Sequence, residues 1–224
     1  MSGNVEARST ENLISIVRQG YDVCAPKYLA WQSTRDVPKP AEYLSKLFTY
    51  LAPGASVLEL GCGPGVVYTQ QLANHELGLK VTAVDISASQ IALARERLPE
   101  SDRVEFVHAD MTKLGYPEGR FDAIVALYSF FHLPGAEQGP MVRMMVSWLK
   151  PGGVLLLNTS TEEGDVFRDN WMGVKMFSTG LGVEGNLKLF KDFGEGLEVE
   201  DEIAEEKAGL ALSVYFHWIW AIKK

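Results

Sequence analysis

Two cysteines in 224 residues, Cys24 and Cys62, cannot form a disulfide scaffold, and a chain this long does not need one to hold a core. No C-x-x-C or related spacing offers a structural metal site, so no metal is expected. Long basic runs are also missing. None exceeds the pair Lys223-Lys224, and 21 Lys and Arg against 29 Asp and Glu leave a net charge of −8. A nucleic-acid binder usually shows a basic patch, so nucleic acid is not expected as a partner. No apolar run approaches the ~18 residues of a membrane span, and Met1 to Arg8 lacks the apolar centre of a signal peptide. The expectation is a cytoplasmic protein without a membrane partner. Histidine is scarce too. Only His75, His108, His132 and His217 are available for proton transfer near neutral pH.

Glycine, by contrast, is concentrated where it matters. Val57-Leu58-Glu59-Leu60 is a short apolar run carrying one acid, as a buried parallel strand would. It breaks into Gly61-Cys62-Gly63-Pro64-Gly65, where alternate glycines allow a tight turn and close approach of a ligand to the main chain. The next apolar run, Lys80 to Val84, ends in Asp85, a carboxylate placed to accept ribose hydroxyls. A dinucleotide fingerprint would need glycine or alanine at position 66, and valine stands there.

The pattern E-x-G-x-G-x-G from Glu59 to Gly65 resembles motif I of the class I S-adenosylmethionine-dependent methyltransferases. Three further segments follow in the family's order. Val104 to Met111 reads as a third strand ending in Asp110, Phe121 to Leu133 as the fourth strand and its loop, and Leu149-Lys150-Pro151-Gly152-Gly153 as the turn into the fifth. The resemblance is strong over roughly residues 40 to 160 and looser on both flanks. It implies that Glu59, Gly61, Gly63 and Gly65 hold the methionyl and ribose part of S-adenosylmethionine. It implies also that Asp85 binds the ribose and that Asp110 and Met111 meet the adenine, with Ile86 and Leu127 among the cofactor-binding residues. Tyr21 and Tyr28 would close over the cofactor from a cap.

Alternating strand and helix patterns with short connections predict an α/β, doubly wound parallel sheet with right-handed crossovers. Thr10 can cap a first helix with Leu13, Ile14, Ile16 and Val17 on its apolar face. A second helix starts near Pro38 to Pro40 and stops before Pro53-Gly54. Ser87 to Gln90 reads as a capping box, with Pro99 ending that helix, and Pro140 suits the first turn of another. Leu197 to Ile203 alternates with charge, as an edge strand does, and Val214 to Ile222 is apolar on both faces, as an interior strand is. The resemblance adds a mostly parallel sheet of seven strands whose last strand is antiparallel. The expected organisation is a helical cap over residues 1–52 and a cofactor-binding domain over 53–224, together one domain.

Methyl transfer needs a nucleophile aligned with an electrophilic methyl and, for a hydroxyl or thiol, a group that takes its proton. His132, just past the fourth strand, is the candidate base, with a packing role as the alternative. His75 is expected on a surface helix, and His108 and His217 are expected to be packed. Trp31, Tyr128, Trp171, Met172 and Met176 are candidates to wall an acceptor pocket, and a core patch explains the same residues equally well. No D-P-P-Y or N-P-P-Y follows the fourth strand and no Pro-Cys pair is present, which sets aside adenine N-methylation and pyrimidine C5-methylation. The expected activity is transfer of a methyl to O, N or S of a small, partly apolar metabolite, by a monomer or homodimer. The rival is a binder of the same cofactor that does not transfer methyl, such as a sensor, a partner protein or a catalyst of non-redox cyclisation.

Overall fold

A computed structural model describes residues 9–35, 37–98, 102–207 and 213–224. Nine strands and six α-helices alternate along it. They are α1 (Thr10–Ser33), α2 (Pro38–Tyr50), β1 (Ser56–Leu60), α3 (Tyr68–Asn74), β2 (Lys80–Asp85), α4 (Ala88–Arg97), β3 (Val104–His108), β4 (Phe121–Ala126), α5 (Gly135–Trp148), β5 (Leu149–Ser160), β6 (Glu163–Trp171), β7 (Val174–Leu181), α6 (Gly182–Phe193), β8 (Leu197–Lys207) and β9 (Ser213–Lys223).

Seven strands form one sheet in the order β3-β2-β1-β4-β5-β9-β8. β3, β2, β1, β4 and β5 pair in parallel. β9 enters antiparallel between β5 and β8, pairing Leu156 with Trp220 and Asn158 with Trp218. The doubly wound, mostly parallel sheet with an antiparallel last strand is therefore present. β8 lies at the edge, where its charged alternation suits solvent, and β9 lies inside.

Burial explains these positions. Trp218, Ile219, Trp220 and Ala221 are almost inaccessible on both faces of β9, and each large side chain so buried contributes ~1.5–3 kcal/mol. One core layer joins Leu44, Leu47, Leu72 and Ile91 to Trp218 and Trp220. The other packs Met141, Met145, Trp148 and Phe190 against Leu58, Ile124 and Leu155. The chain leaves β1 in one direction and β4 in the other, so a crevice opens beyond their carboxyl ends.

Some boundaries differ from the sequence reading. α1 is one helix of 24 residues that runs through Gly20 and Pro26, about 36 Å at the usual helical rise. Pro26 removes one backbone donor, yet Leu13, Val17, Cys24, Tyr28 and Gln32 share a continuous buried face that holds the helix together. Its cap is Ser9, whose hydroxyl accepts from the Asn12 amide, and not Thr10. α5 begins at Gly135, five residues before Pro140. α4 ends at Arg97, and the expected stop at Pro99 lies outside the described residues. The aromatic segment after β5 is an antiparallel hairpin, β6–β7, outside the main sheet. α1 lies across it, with Leu13 and Val17 packed on Met176 and Phe177. Among the described residues no helix is long and apolar enough to cross a membrane.

Candidate functional site

β1 delivers the glycine turn to the crevice. The Gly61 and Cys62 amides both donate to the Val84 carbonyl at 2.8 and 2.9 Å, which folds the turn back over β2. Gly61 has φ +79°, and a Cβ there would lie 2.3 Å from that of Ser129. Gly63 has φ +56° and faces Tyr28 and Gln32 of α1, so its open side is the cleft. Gly65 differs. A Cβ there would lie 2.9 Å from that of Ala94, so its glycine serves close packing on α4.

Asp85 ties this turn to the start of α4. Its Oδ2 accepts from the Gly63 amide and its Oδ1 from the Ser87 amide, both at 2.8 Å. Burial raises its pKa to about 6, against the two amide bonds, which favour the charged form. Glu59, on β1 beneath the turn, is pushed up to about 7 by burial and by the nearby Asp85 charge. One of its carboxylate oxygens is buried without a partner, and so is the Gln32 side-chain oxygen. Buried acceptors without donors are costly. Two of them beside an open glycine turn fit a cationic group such as the ammonium of an amino acid.

The remaining crevice wall comes from the ends of β3 and β4. Asp110 caps a 3-10 turn, Met111–Lys113, through its Oδ1, which accepts from the Thr112 amide and hydroxyl at 2.9 Å. Gly61, Asp85, Ile86, Asp110, Met111, Ser129 and His132 line a cleft that Ile14 and Val17 of α1 cover, leaving about 40 Å³ free. A neighbouring cavity of about 640 Å³ shares Ile14, Ile86, Ala109 and Asp110 and reaches Arg18 and Lys113. Small-ligand pockets are typically ~300–1,000 Å³. The outer cavity is thus of a size that holds a small ligand, and it adjoins the inner cleft at Ile14, Ile86, Ala109 and Asp110.

His132 ends a second 3-10 turn, Phe130–His132, just past β4. Its Nδ1 lies 2.6 Å from the Phe177 carbonyl oxygen and its Nε2 lies 3.0 Å from the Tyr21 hydroxyl. A carbonyl only accepts, so Nδ1 carries the proton and Nε2 presents a lone pair to Tyr21. Burial lowers the His132 pKa to about 4, keeping the ring neutral. Burial also raises the Tyr21 pKa well above its ordinary value, so Tyr21 stays a donor. The Tyr21 ring stands edge-on to Tyr28 at 5.3 Å and to His132 and Trp171 at 5.4 Å.

α1 is fastened to both walls of the crevice. Asp22 accepts from the Ser87 hydroxyl at 2.7 Å and the Ser89 amide at 3.2 Å, and Lys27 donates to the Met172 carbonyl at 3.3 Å.

The structure thus brings Gly61, Asp85, Ile86, Asp110, Met111 and His132 to one crevice, with Tyr21 against His132, Tyr28 against Gly63, Trp171 against Tyr21, and Glu59 buried beneath the turn. Leu127 is a buried core residue just after β4, and Met176 is buried against α1. Trp31 lies at the rim, 41% exposed, with its ring 5.6 Å from Tyr28. Met172 is at the hairpin tip with φ +54°. Tyr128, φ +55°, turns its ring toward Tyr68 and its hydroxyl toward Glu206.

Two histidines differ from expectation. His75 is half-buried, stacked on Phe48 of α2 at 3.7 Å. His108 is exposed at the end of β3, with its Nε2 3.1 Å from the Ile86 carbonyl oxygen. His217 is fully buried as expected, with its Nε2 2.9 Å from Asp201. Among the described residues no cluster of three or more His, Cys, Asp or Glu could hold a metal.

Asp22, Gln32, Arg35, Tyr68 and Glu206 escaped the sequence reading. Tyr21, Tyr28 and Gln32 are spaced as one helical face, a signal visible only once the helix is carried through Pro26. Glu206 has no local signal in its charged run.

Residues 57–153 match a family model described as a methyltransferase domain. The chain is 28% identical over 163 residues to the 27-O-demethylrifamycin SV methyltransferase of Amycolatopsis mediterranei, a match covering 71% of this chain and 53% of that one. It thus spans about half the length of this curated relative. Among solved structures, the 1,6-didemethyltoxoflavin-N1-methyltransferase of Burkholderia thailandensis, with its substrate and S-adenosylhomocysteine bound, aligns at a TM-score of 0.72 and 17% identity. That alignment covers 99% of this chain and 93% of the other. The cyclase SpnF aligns at a TM-score of 0.68 and 21% identity, covering 100% and 99%. Likeness at these identities carries the fold.

Proposed function

We propose that this chain, whose residues 57–153 match a methyltransferase-domain model, is an enzyme that transfers the methyl of S-adenosylmethionine to a heteroatom of a small, partly apolar metabolite. In this reading residues 1–52 act as the cap of a domain formed by 53–224. The observation that carries it is the pairing of the Gly61–Gly65 turn and Asp85 with a neutral histidine whose Nε2 lone pair faces the same crevice.

Asp85 and Ile86 would hold the ribose, and Asp110 and Met111 the adenine. Glu59 and Gln32 offer the unpartnered oxygens that the ammonium group requires. Bound there, S-adenosylmethionine supplies an electrophilic methyl on a sulfonium centre. The protein's share is alignment and exclusion of water, which Ile14, Val17, Tyr21 and Tyr28 provide by lying across the crevice.

His132 and Tyr21 then form a proton path. Nε2 accepts from Tyr21, so an acceptor hydroxyl next to Tyr21 passes its proton to the tyrosine oxygen as Tyr21 passes its own to Nε2. The Phe177 carbonyl stabilises the imidazolium through Nδ1–H. Trp171, Tyr28 and Trp31 wall the acceptor side with aromatic surface.

The test is incubation with isotopically labelled S-adenosylmethionine and a library of small hydroxyl, thiol and amine acceptors. Methyl transfer releases S-adenosylhomocysteine in proportion to labelled product. Conversion of an acceptor over many turnovers with the cofactor intact would establish the non-methylating rival instead.

A further inference from the structure

The surroundings of His132 limit what it can deprotonate. Two rings flank it, Tyr21 edge-on at 5.4 Å and Phe131 tilted at 4.8 Å. Its Nδ1 meets the carbonyl of Phe177, which is neutral. A histidine that takes up a proton in catalysis is commonly backed by a carboxylate, which stabilises the imidazolium. A hydrogen bond to a neutral acceptor does this less well. The protein builds the stronger arrangement elsewhere, where His217 Nε2 lies 2.9 Å from Asp201 Oδ2. At His132 burial opposes protonation, and so does the charge of Arg168 on β6. The carboxylate that Tyr21 feels is Asp85, whose two oxygens are occupied by the Gly63 and Ser87 amides. Tyr21 and His132 together therefore guide a proton that is loosely held and cannot strip one that is tightly held.

The surface beside them is aromatic. The Tyr28 ring centre lies 5.6 Å from Trp31 and 5.8 Å from Trp171, at tilts of 39° and 45°. Trp31 is partly exposed, which leaves some of its ring open to an entering one. Arg35, paired with Glu206, lies 4.8 Å from the Trp31 ring centre and steadies it. Aromatic rings pair edge-on or offset with centres ~4.5–7 Å apart, so a planar ring suits this surface. Charge points the same way. Lys27 holds the Met172 carbonyl at the hairpin tip and Arg168 stands on β6. Cations there favour an oxyanion and disfavour a further ammonium.

We propose that the acceptor is a phenol, with its ring against Trp31 and Trp171 and its oxygen at Tyr21, and that alkyl alcohols and aliphatic amines are poor acceptors. This rests on the methyl-transfer reading above. The phenol oxygen bonds the methyl carbon as the carbon–sulfur bond breaks and leaves its electron pair on sulfur. The phenolic proton passes to the Tyr21 oxygen as Tyr21 passes its own to His132 Nε2. Return of that proton through Tyr21 to solvent after product release restores both groups. A phenol that is already ionised skips the relay.

The test is a steady-state assay of the protein with S-adenosylmethionine at pH 8, reading S-adenosylhomocysteine released. The acceptors are phenol, para-nitrophenol, benzyl alcohol and benzylamine. Phenol keeps its proton up to about pH 10, whereas para-nitrophenol is largely ionised in the assay. Wild type should use both phenols, with kcat/KM on phenol at least ~100-fold above benzyl alcohol and benzylamine. His132→Ala should lose ~10²–10⁴-fold on phenol and less than ~10-fold on para-nitrophenol, a difference that a purely structural histidine would not produce. Trp171→Ala should raise KM for both phenols without changing S-adenosylhomocysteine affinity in calorimetry. Benzyl alcohol or benzylamine matching phenol, or equal losses on the two phenols in His132→Ala, would overturn the proposal and leave methyl transfer standing. Failure with both phenols in a protein that binds S-adenosylhomocysteine would also overturn it. Failure to bind S-adenosylhomocysteine would overturn the cofactor reading as well.

Discussion

Asp85→Asn separates the two roles of that residue because its stability effect should depend on pH. In wild type the carboxylate accepts from the Gly63 and Ser87 amides, and asparagine keeps one acceptor oxygen while turning an NH2 toward the other donor. Losing that bond and leaving a buried donor costs ~1–3 kcal/mol. Against this stands the cost of burying the charge. The pKa is raised from 3.8 to about 6, which corresponds to about 3 kcal/mol. The sign follows from proton binding. The native state binds the proton more tightly than the unfolded chain, so this group's contribution is full below pH ~3.8 and is lost as pH rises through 6. At pH 8 wild type carries the whole penalty, and Asp85→Asn should be within ~1 kcal/mol of neutral. At pH 5 wild type is mostly protonated and keeps much of its advantage, so the variant should be ~1–2 kcal/mol less stable. Denaturant melts at both pH values measure this. Affinity for S-adenosylhomocysteine at pH 8 should still fall ~10–100-fold through the lost ribose contact. Equal destabilisation at the two pH values would refute the reasoning about buried charge, and unchanged affinity would refute the ribose role.

Three further outcomes follow. His132→Ala should lower turnover on a hydroxyl acceptor ~10²–10⁴-fold at nearly unchanged S-adenosylhomocysteine affinity, and the acid limb of the wild-type rate should lie well below 6.5, toward about 4; a limb at 6.5 in the pH–rate profile would contradict the burial of that ring. Glu59 is held near 7, so calorimetry from pH 5.5 to 8.5 should show S-adenosylhomocysteine binding strengthen as the carboxylate ionises against the ammonium, and Glu59→Gln should flatten that dependence. Gly61→Ala places a Cβ 2.3 Å from that of Ser129 at φ +79° and should cost ~2–5 kcal/mol in chemical denaturation, the sum of left-handed strain and overpacking; a cost below ~1 kcal/mol would mean the turn is not held where the structure places it.

The sheet was legible because strand burial writes itself locally. β1, β2 and β4 are apolar runs of five or six residues bounded by turn signals, and β9 betrays its interior place by being apolar on both faces. The crevice was legible where function needs special backbone, at Gly61 and Gly63, or an acid at a strand end, at Asp85. The cap was less so. Local propensity breaks α1 at Gly20 and Pro26, and only burial against β7 and α4 keeps it whole. Arg35 with Glu206, 171 positions apart, and Tyr21 with His132, 111 apart, meet through tertiary structure alone. No periodicity reports such pairs.

The placement of α1 also sets an order on synthesis. Its buried face, Leu13, Val17, Cys24 and Tyr28, leaves the ribosome before any of its partners. Ser87 follows some 60 residues later, and Met176 and Phe177 some 160 residues after Leu13. At ~5–20 residues per second, this apolar helix waits roughly ten seconds or more for the β7 residues that cover Leu13 and Val17. A nascent chain stalled before β7 would therefore expose that stripe to chaperones, and ribosome-bound chains halted on either side of residue 181 should differ sharply in chaperone capture.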